Sequence, residues 1–570
     1  MMKAVSRHMT MIGWCILALA TEYARAAVIT VSQDGRGQYS SIQAAVDAAG
    51  KGDVVKILDA AVYNEQVDID STKSGLTLTS ANPLSLNKPV IRWQDTQNVG
   101  PRSCTEALQE DKVTFDQNGA LRLLHTRNVT IDGIAVDGGG ARPFAYSGVW
   151  GNGVDCSGQL HPLFHGNAAI TVWISGDIHI RNCDIRNAYF GINTKDRNQG
   201  GIFANANPAD VEKWNVVPLS GFGKTGNHLY EHNRIHNNSW GLFFESTWDL
   251  GSTVRYNLIY ENHHSDSLAA EVKSMPDGQH QPGGAFFFKD HLLSPLAIYN
   301  NTFWHNFLIY AGHWRAGSQH LIFNNIHGAP HRYWSDDPNF QNPFHKMDHI
   351  FKYRMKHCVY ASQSQAATEY HVAIMNDFQM QPTGGPIPQG TLITTPFPAE
   401  ADIRWLETPF KSTDPSSPDF LTPDWDDTLV QQYIVDKGWP EAAITDPDGS
   451  IADLGAIPSA GGRITDLVVV KPVSPVVING TTATMTFDVA VTEGTFSGPS
   501  IAYIRFIKNV EFHADAFGGN AAPVPATDIL EVAIPAGTQI KPGSNTLTVT
   551  VPPRGADELY AFFELILEGT

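Results

Sequence analysis

The segment EHNRIHNNSWGLFFES, residues 231–246, is echoed by RYNLIYENHHS (255–265), YNNTFWHNFLIYAGHW (299–314) and FNNIHG (323–328). Aligned on Asn233, Asn257, Asn301 and Asn325, the copies recur at intervals of 24, 44 and 24 residues. An earlier copy, RNCDIRNAYFGINTKD (181–196), puts Cys183 in the same column, 50 residues before Asn233. The intervals describe one rung of about 24 residues, with about 26 extra residues ahead of Asn233 and about 20 ahead of Asn301. A unit of this length made of short β-rich runs is one turn of a parallel β-helix, and asparagines stacked at its corner would hydrogen-bond along the column. Asparagines that marked unrelated hairpin turns would not keep the same count on both sides of an insertion.

Counting from the asparagines aligns more than the corner. Lys195 lies 12 residues after Cys183, Glu245 12 after Asn233, Lys289 12 before Asn301 and His313 12 after Asn301. Four consecutive rungs therefore place Lys195, Glu245, Lys289 and His313 in one file, about 4.8 Å apart. Side chains two apart on a strand share a face, so Asn193, Phe243, Phe287 and Ala311 precede that file and Arg197, Thr247, His291 and Arg315 follow it. The intervening Phe286 and Phe288 are expected in the core, with Phe287, Lys289 and His291 looking outward; Asp290 falls where the strand ends. The insertions, 196–221 and 263–283, flank this face and are expected to wall it into a groove.

The opening segment VITVSQDGRGQYSSIQAAVDAAGKGDVVKIL (28–58) resembles the start of right-handed parallel β-helix proteins of the pectate-lyase-like superfamily: strand, turn, then a short helix capping the coil. DPDGSIADLGA (446–456) resembles the phrase that often closes such domains. The resemblance spans about residues 28–457 and implies an all-β fold; it specifies fold far better than activity. From about Arg463 to Thr570, runs such as ATMTFDVAV and NTLTVTV alternate with period two, the pattern of a separate antiparallel β-sandwich. The expected organisation is thus a signal peptide (1–26), a β-helix domain (27–457) and a sandwich (463–570).

The signal peptide is read from Lys3 and Arg7, the apolar run Met9 to Ala20, and Ala24-Arg25-Ala26, which has the small-x-small form of a cleavage site. The run is far short of the roughly 20 residues a membrane span needs, so secretion without a remaining span is expected. Four cysteines follow (Cys104, Cys156, Cys183, Cys358), an even number compatible with disulfides, with Cys104–Cys156 the preferred pair. A net charge of −19 argues against a nucleic-acid partner. It would also repel an acidic polysaccharide unless the chain offers local positive charge or a bound cation. Calcium is one such cation, and DWDD (424–427) and DPDGSIAD (446–453) offer clustered oxygens, although acid-rich turns are commoner than ion sites. Nothing in the sequence requires more than one copy of the chain.

The chemistry of the file suits β-elimination on a uronic-acid polymer, which needs a base for the proton beside the carboxylate, positive charge for the enolate-like intermediate and an acid for the leaving oxygen. Lys289 is the expected base: Lys195, His291 and Arg315 nearby would lower its pKa, while Glu245 opposes that shift. His313 or Arg315 would hold the carboxylate or protonate the leaving oxygen; Lys195, Arg197, Phe243, Phe287 and Asp290 would bind substrate. The arrangement resembles that of β-helix alginate lyases, in which a Lys base and an Arg sit on neighbouring rungs. AEVKS (270–274) is similar to their lysine-bearing segment and makes Lys273 a rival base. Polygalacturonase, common pectate lyase and pectin methylesterase motifs are absent. A glycoside hydrolase remains a second reading, with Glu245 paired to Asp290, Asp249 or Glu271, and a non-catalytic carbohydrate-binding or adhesin coil is the third. The bland account of the file is a solvated ladder of alternating charges.

Overall fold

A computed structural model describes residues 26–93, 119–139, 168–195, 226–245, 252–263, 283–289, 296–306, 308–312, 321–328, 355–362, 388–394, 399–442, 444–459, 468–472, 477–491, 501–508, 529–534, 543–552 and 560–568. Among these residues, short strands joined by tight corners wind into three parallel sheets of ten, ten and seven strands. One coil shows the path. His179–Arg181 lies in sheet 1, Asp184–Arg186 in sheet 2 and Phe190–Lys195 in sheet 3, and the next coil repeats it with Leu229–Glu231, Arg234–His236 and Trp240–Glu245. Each strand pairs in parallel with its equivalent one coil away. Parallel crossovers take the right-handed sense, and the fold is a right-handed parallel β-helix.

The corner between sheets 1 and 2 explains the asparagine spacing. A single left-handed residue turns the chain there: Asn182, His232, Tyr256, Asn300, Asn324 and His357 have φ of 54°, 55°, 54°, 50°, 54° and 46°. The next residue is the ladder. Asn257 Oδ1 accepts from the backbone N–H and the side-chain amide of Asn233 (2.9 and 3.0 Å); Asn301 Oδ1 does so for Asn257 (3.1 and 2.9 Å) and Asn325 Oδ1 for Asn301 (2.8 and 3.1 Å). The backbone polar groups of a buried corner are thereby satisfied without water.

Cysteine closes this column at both ends. Cys183 N–H donates to Asn233 Oδ1 (2.9 Å), and its thiol donates to the carbonyl two residues back, as the ladder amides of Asn257 and Asn301 do. At the other end the thiol of Cys358 likewise donates to the carbonyl two residues back, that of Lys356 (3.2 Å). Both thiols are free and buried, and burial pushes each up to about 12. This corrects the disulfide expectation for these two residues: they are column members facing the coil. Cys104 and Cys156 lie outside the described residues.

A second ladder runs along the corner between sheets 2 and 3, five residues further on. Asn238 accepts from Ala188 N–H (3.1 Å), Asn262 from Asn238 (3.2 and 3.1 Å) and Asn306 from Asn262 (3.2 and 2.9 Å). Gly191 rides over it with no room for a side chain: a Cβ there would sit 2.4 Å from the Gly241 carbonyl oxygen.

The coil is filled by one residue per alternate position, and Phe244, Phe286 and Phe288 are fully buried as their parity requires. Phe286 packs on Phe288 and Tyr310, with ring centroids 5.6 and 5.5 Å apart. At the start of the coil the helix Ile42–Ala48 buries Ile42, Ala45 and Val46 against the first strands, the capping role its sequence implies. Glu65 holds the helix N-terminus, accepting from the Ser41 hydroxyl (2.6 Å) and from the N–H groups of Ile42 (2.7 Å) and Gln43 (3.1 Å). At the other end the chain folds back over the outer face of sheet 2, with Phe420 on Tyr260 and Phe410 on Trp304. Beyond residue 467 the strands are antiparallel and form two further sheets, in which Ala483, Met485, Leu547 and Val549 are buried.

Candidate functional site

Sheet 3 carries the predicted file. Its strands include Gly119–Leu124, Ala168–Trp173, Phe190–Lys195, Trp240–Glu245, Gly284–Lys289 and Leu308–Gly312. Lys195 is in register with Glu245, and Glu245 with Lys289. The file continues towards the start of the coil through Trp173 and Leu124. Each of the three charged residues ends its strand, one position beyond the buried Thr194, Phe244 and Phe288. Positions 195, 245 and 289 are thus one step out of phase with the residues that fill the coil. Neighbouring positions in the file are about 4.8 Å apart.

Two long connections meet this sheet. Residues 196–225 leave from Lys195, and residues 264–282 return to the strand that begins at Gly284. His313 directly follows Gly312, which pairs with Phe288, so the count that places it beside Lys289 is intact up to the preceding residue. His313 itself, with His291, Arg315, Arg197, Asp290 and Lys273, lies outside the described residues.

The residues before the charged file differ from expectation. Asp68, Arg122, Thr171, Asn193, Phe243, Phe287 and Ala311 share one register row. Phe243 and Phe287, expected as exposed stacking surfaces, are each only 2% exposed. Their rings contact one another at 5.3 Å, Phe243 meets Phe190 at 4.4 Å and Phe287 meets Trp240 at 4.9 Å. A two-residue period identifies the side of a strand but not whether that side is covered. These aromatics form a buried layer beside the file and offer no open ring face to a sugar. Rigid packing of this kind fixes the strands that carry Lys195, Glu245 and Lys289.

The outer face of sheet 1 holds a charged group that sequence reading missed. Glu231 is buried, with Oε1 2.8 Å from His179 Nε2 and Oε2 2.8 Å from the Arg255 guanidinium; Arg255 also donates to the Tyr299 hydroxyl at 3.0 Å. Burial alone would raise the Glu231 carboxyl, but Arg255 and His179 outweigh it and hold it well below the usual carboxylate range. Both oxygens are engaged, which fits a structural brace better than a base. Its partners are 52 and 24 residues away, so no local pattern announces them.

Sheet 2 has a counterpart in Asp184, whose Oδ1 lies 3.1 Å from His236 Nε2 and 2.9 Å from Arg186. Burial pushes this carboxyl up, but His236 and Arg186 prevail and bring it to about 2. A carboxylate depressed in the folded state stabilises above its unfolded pKa and loses that contribution as pH falls through the folded value. Urea unfolding should therefore show the wild type losing about 2 kcal/mol more than Asp184→Asn between pH 5 and pH 2. Parallel stability curves for the two proteins would refute this role for Asp184.

No family model matches the chain, and no curated protein is similar to it in sequence. Among solved structures, the chain is similar to the pectate lyase Pel9A at 11% identity over 76% of this chain and 97% of that one, with a TM-score of 0.32. It is similar to a pectin methylesterase from carrot at 12% identity over 59% and 81% of the two chains, TM-score 0.27. An alginate lyase from Paenibacillus sp. str. FPU-7 matches at 12% identity over 50% and 91%, TM-score 0.22. Likeness at this level transfers no chemistry to this chain.

Proposed function

We propose that the chain is a polysaccharide-degrading enzyme, a lyase that cleaves a uronic-acid polymer by β-elimination on the outer side of sheet 3. The observation that supports it is the register of Lys195, Glu245 and Lys289 at the ends of three adjacent strands. Lys289 takes the proton from the carbon beside the uronate carboxylate. The released electron pair passes through an enolate-like intermediate and expels the glycosidic oxygen two carbons from the carboxylate, forming a carbon–carbon double bond. Lys195 supplies positive charge to the carboxylate as negative charge grows on it, and Glu245 separates the two amines along the file. In this reading His313 or Arg315 delivers a proton to the leaving oxygen, His291 assists the base, and Arg197, Asp290 and Lys273 bind substrate.

Two amines beside one carboxylate favour elimination over hydrolysis, because a glycoside hydrolase needs two carboxyl groups flanking the bond. The local lysines also answer how a chain of net charge −19 holds an anionic polymer. Secretion through the N-terminal segment and action as a single chain belong to the same reading; no helix among the described residues is long and apolar enough to cross a membrane. Alginate, pectate and glycosaminoglycans incubated with purified protein separate the readings. Elimination yields an unsaturated uronate that absorbs in the ultraviolet, hydrolysis yields reducing ends alone, and a binding coil yields neither.

A further inference from the structure

The C-terminal end of the coil is closed by a clasp pinned across the first ladder corner. Asn300 donates to the Asp453 carbonyl (2.7 Å), Asn324 Oδ1 accepts from Trp439 N–H (2.7 Å) and its carbonyl from Gly455 N–H (2.8 Å), and Ala456 N–H donates to the Thr302 hydroxyl (3.0 Å). Inside the clasp, Asp436, Asp446 and Asp453 each bring a carboxylate oxygen within 4.8 Å of the others. Asp446 and Asp453 are buried, and Asp436 is exposed at the opening, on a backbone with φ 54°.

The hydrogen bonds orient these carboxylates without neutralising them. Asp453 Oδ1 accepts from Asp436 N–H (2.8 Å) and its Oδ2 from Ser459 N–H (2.5 Å); Asp446 Oδ2 accepts from Asp453 N–H (3.0 Å). Asp446 Oδ1 is fully buried and has no hydrogen-bond partner. Asp446 itself is 4% exposed, and among the described residues no Lys or Arg forms an ion pair with any of the three. A buried carboxylate oxygen without a donor, next to a second carboxylate, carries a desolvation cost that something positive must offset.

We propose that Asp436, Asp446 and Asp453 bind one Ca2+ ion that locks the clasp closed over the last coils. An all-oxygen set of carboxylates, with no imidazole or thiol among the ligand atoms, suits a hard cation, and an irregular cluster open on one side suits Ca2+ better than the stricter octahedron of Mg2+. Asp446 Oδ1 is the inner ligand, Asp453 the second and Asp436 the ligand at the mouth, where water completes the shell. The alternative way to neutralise the pair is a shared proton: burial, with Asp453 beside it, raises the Asp446 carboxyl to about 7.

The full chain, stripped with a chelator and measured by equilibrium dialysis with calcium and by thermal unfolding, tests this. Wild type should bind one more calcium than either Asp446→Asn or Asp436→Ala, and saturating calcium should raise its Tm by about 3 °C, a rise absent from both variants. Asp436→Ala alters an exposed side chain and keeps the test valid if Asp446→Asn folds poorly. Equal calcium stoichiometry and equal Tm response in wild type and Asp436→Ala would overturn the proposal. So would a wild-type Tm indifferent to calcium that rises as pH falls below 7, the signature of the shared proton.

Discussion

Asn257→Ala is expected to lower the unfolding free energy by about 4 kcal/mol, because it strands several buried groups at once. Asn257 is fully buried. Its oxygen accepts from Asn233 N–H and Nδ2, and its amide donates to the carbonyls of Tyr230 (2.9 Å) and Arg255 (2.8 Å) and to Asn301 Oδ1 (2.9 Å). Alanine removes these side-chain bonds, leaving the Asn233 N–H and the carbonyls of Tyr230 and Arg255 without them. Two or three unsatisfied groups at about 1–3 kcal/mol each give the total. Urea denaturation of this variant beside Asn479→Ala, at the exposed end of a strand, measures it. The control should stay within about 0.5 kcal/mol of wild type. A loss below about 1 kcal/mol in Asn257→Ala would mean that the ladder accompanies the coil without holding it.

The second large effect falls on turnover. Lys289→Ala should reduce kcat by about a thousandfold with the unfolding midpoint nearly unchanged, since a positioned base contributes on this scale and the residue is the last of its strand. Lys289→Arg separates base from counter-charge: a guanidinium keeps the positive charge but does not give up its proton near neutrality, so it should restore binding and not turnover. Lys195→Ala should act mainly on KM, through the substrate carboxylate. If Lys289→Ala retains most of its activity while Lys273→Ala loses it, the base belongs to the segment 264–282 and sheet 3 supplies binding alone.

Much of this architecture was legible because its key interactions join identical residues at a constant count. Asn233, Asn257, Asn301 and Asn325 bond to one another, so chemistry and spacing repeat together; the same count carries forward 12 residues to Glu245 and the corresponding lysines. The second ladder of Asn238, Asn262 and Asn306 obeys the same arithmetic, five residues after Asn233, Asn257 and Asn301, but was not read from the sequence. Periodicity could not show what lies against an outward position, which is why Phe243 and Phe287 read as exposed and are buried. Nor could it find Glu231 with His179 and Arg255, a set of unlike residues assembled from three different coils. The clasp was seen as a phrase, DPDGSIADLGA, but its seat on Asn300, Thr302 and Asn324 depends on contacts more than 100 residues apart. Cys183 was placed in its column by alignment; that Cys358 ends the same column had no repeat to reveal it.

The most direct test of the proposed activity is the ultraviolet absorbance of wild-type protein mixed with alginate, pectate and glycosaminoglycans, followed in parallel with reducing-end release. The file of Lys195, Glu245 and Lys289 predicts that, on at least one of these polymers, absorbance and reducing ends rise together in equal molar amounts. Reducing ends without absorbance, or neither signal on any of them, would contradict elimination on sheet 3.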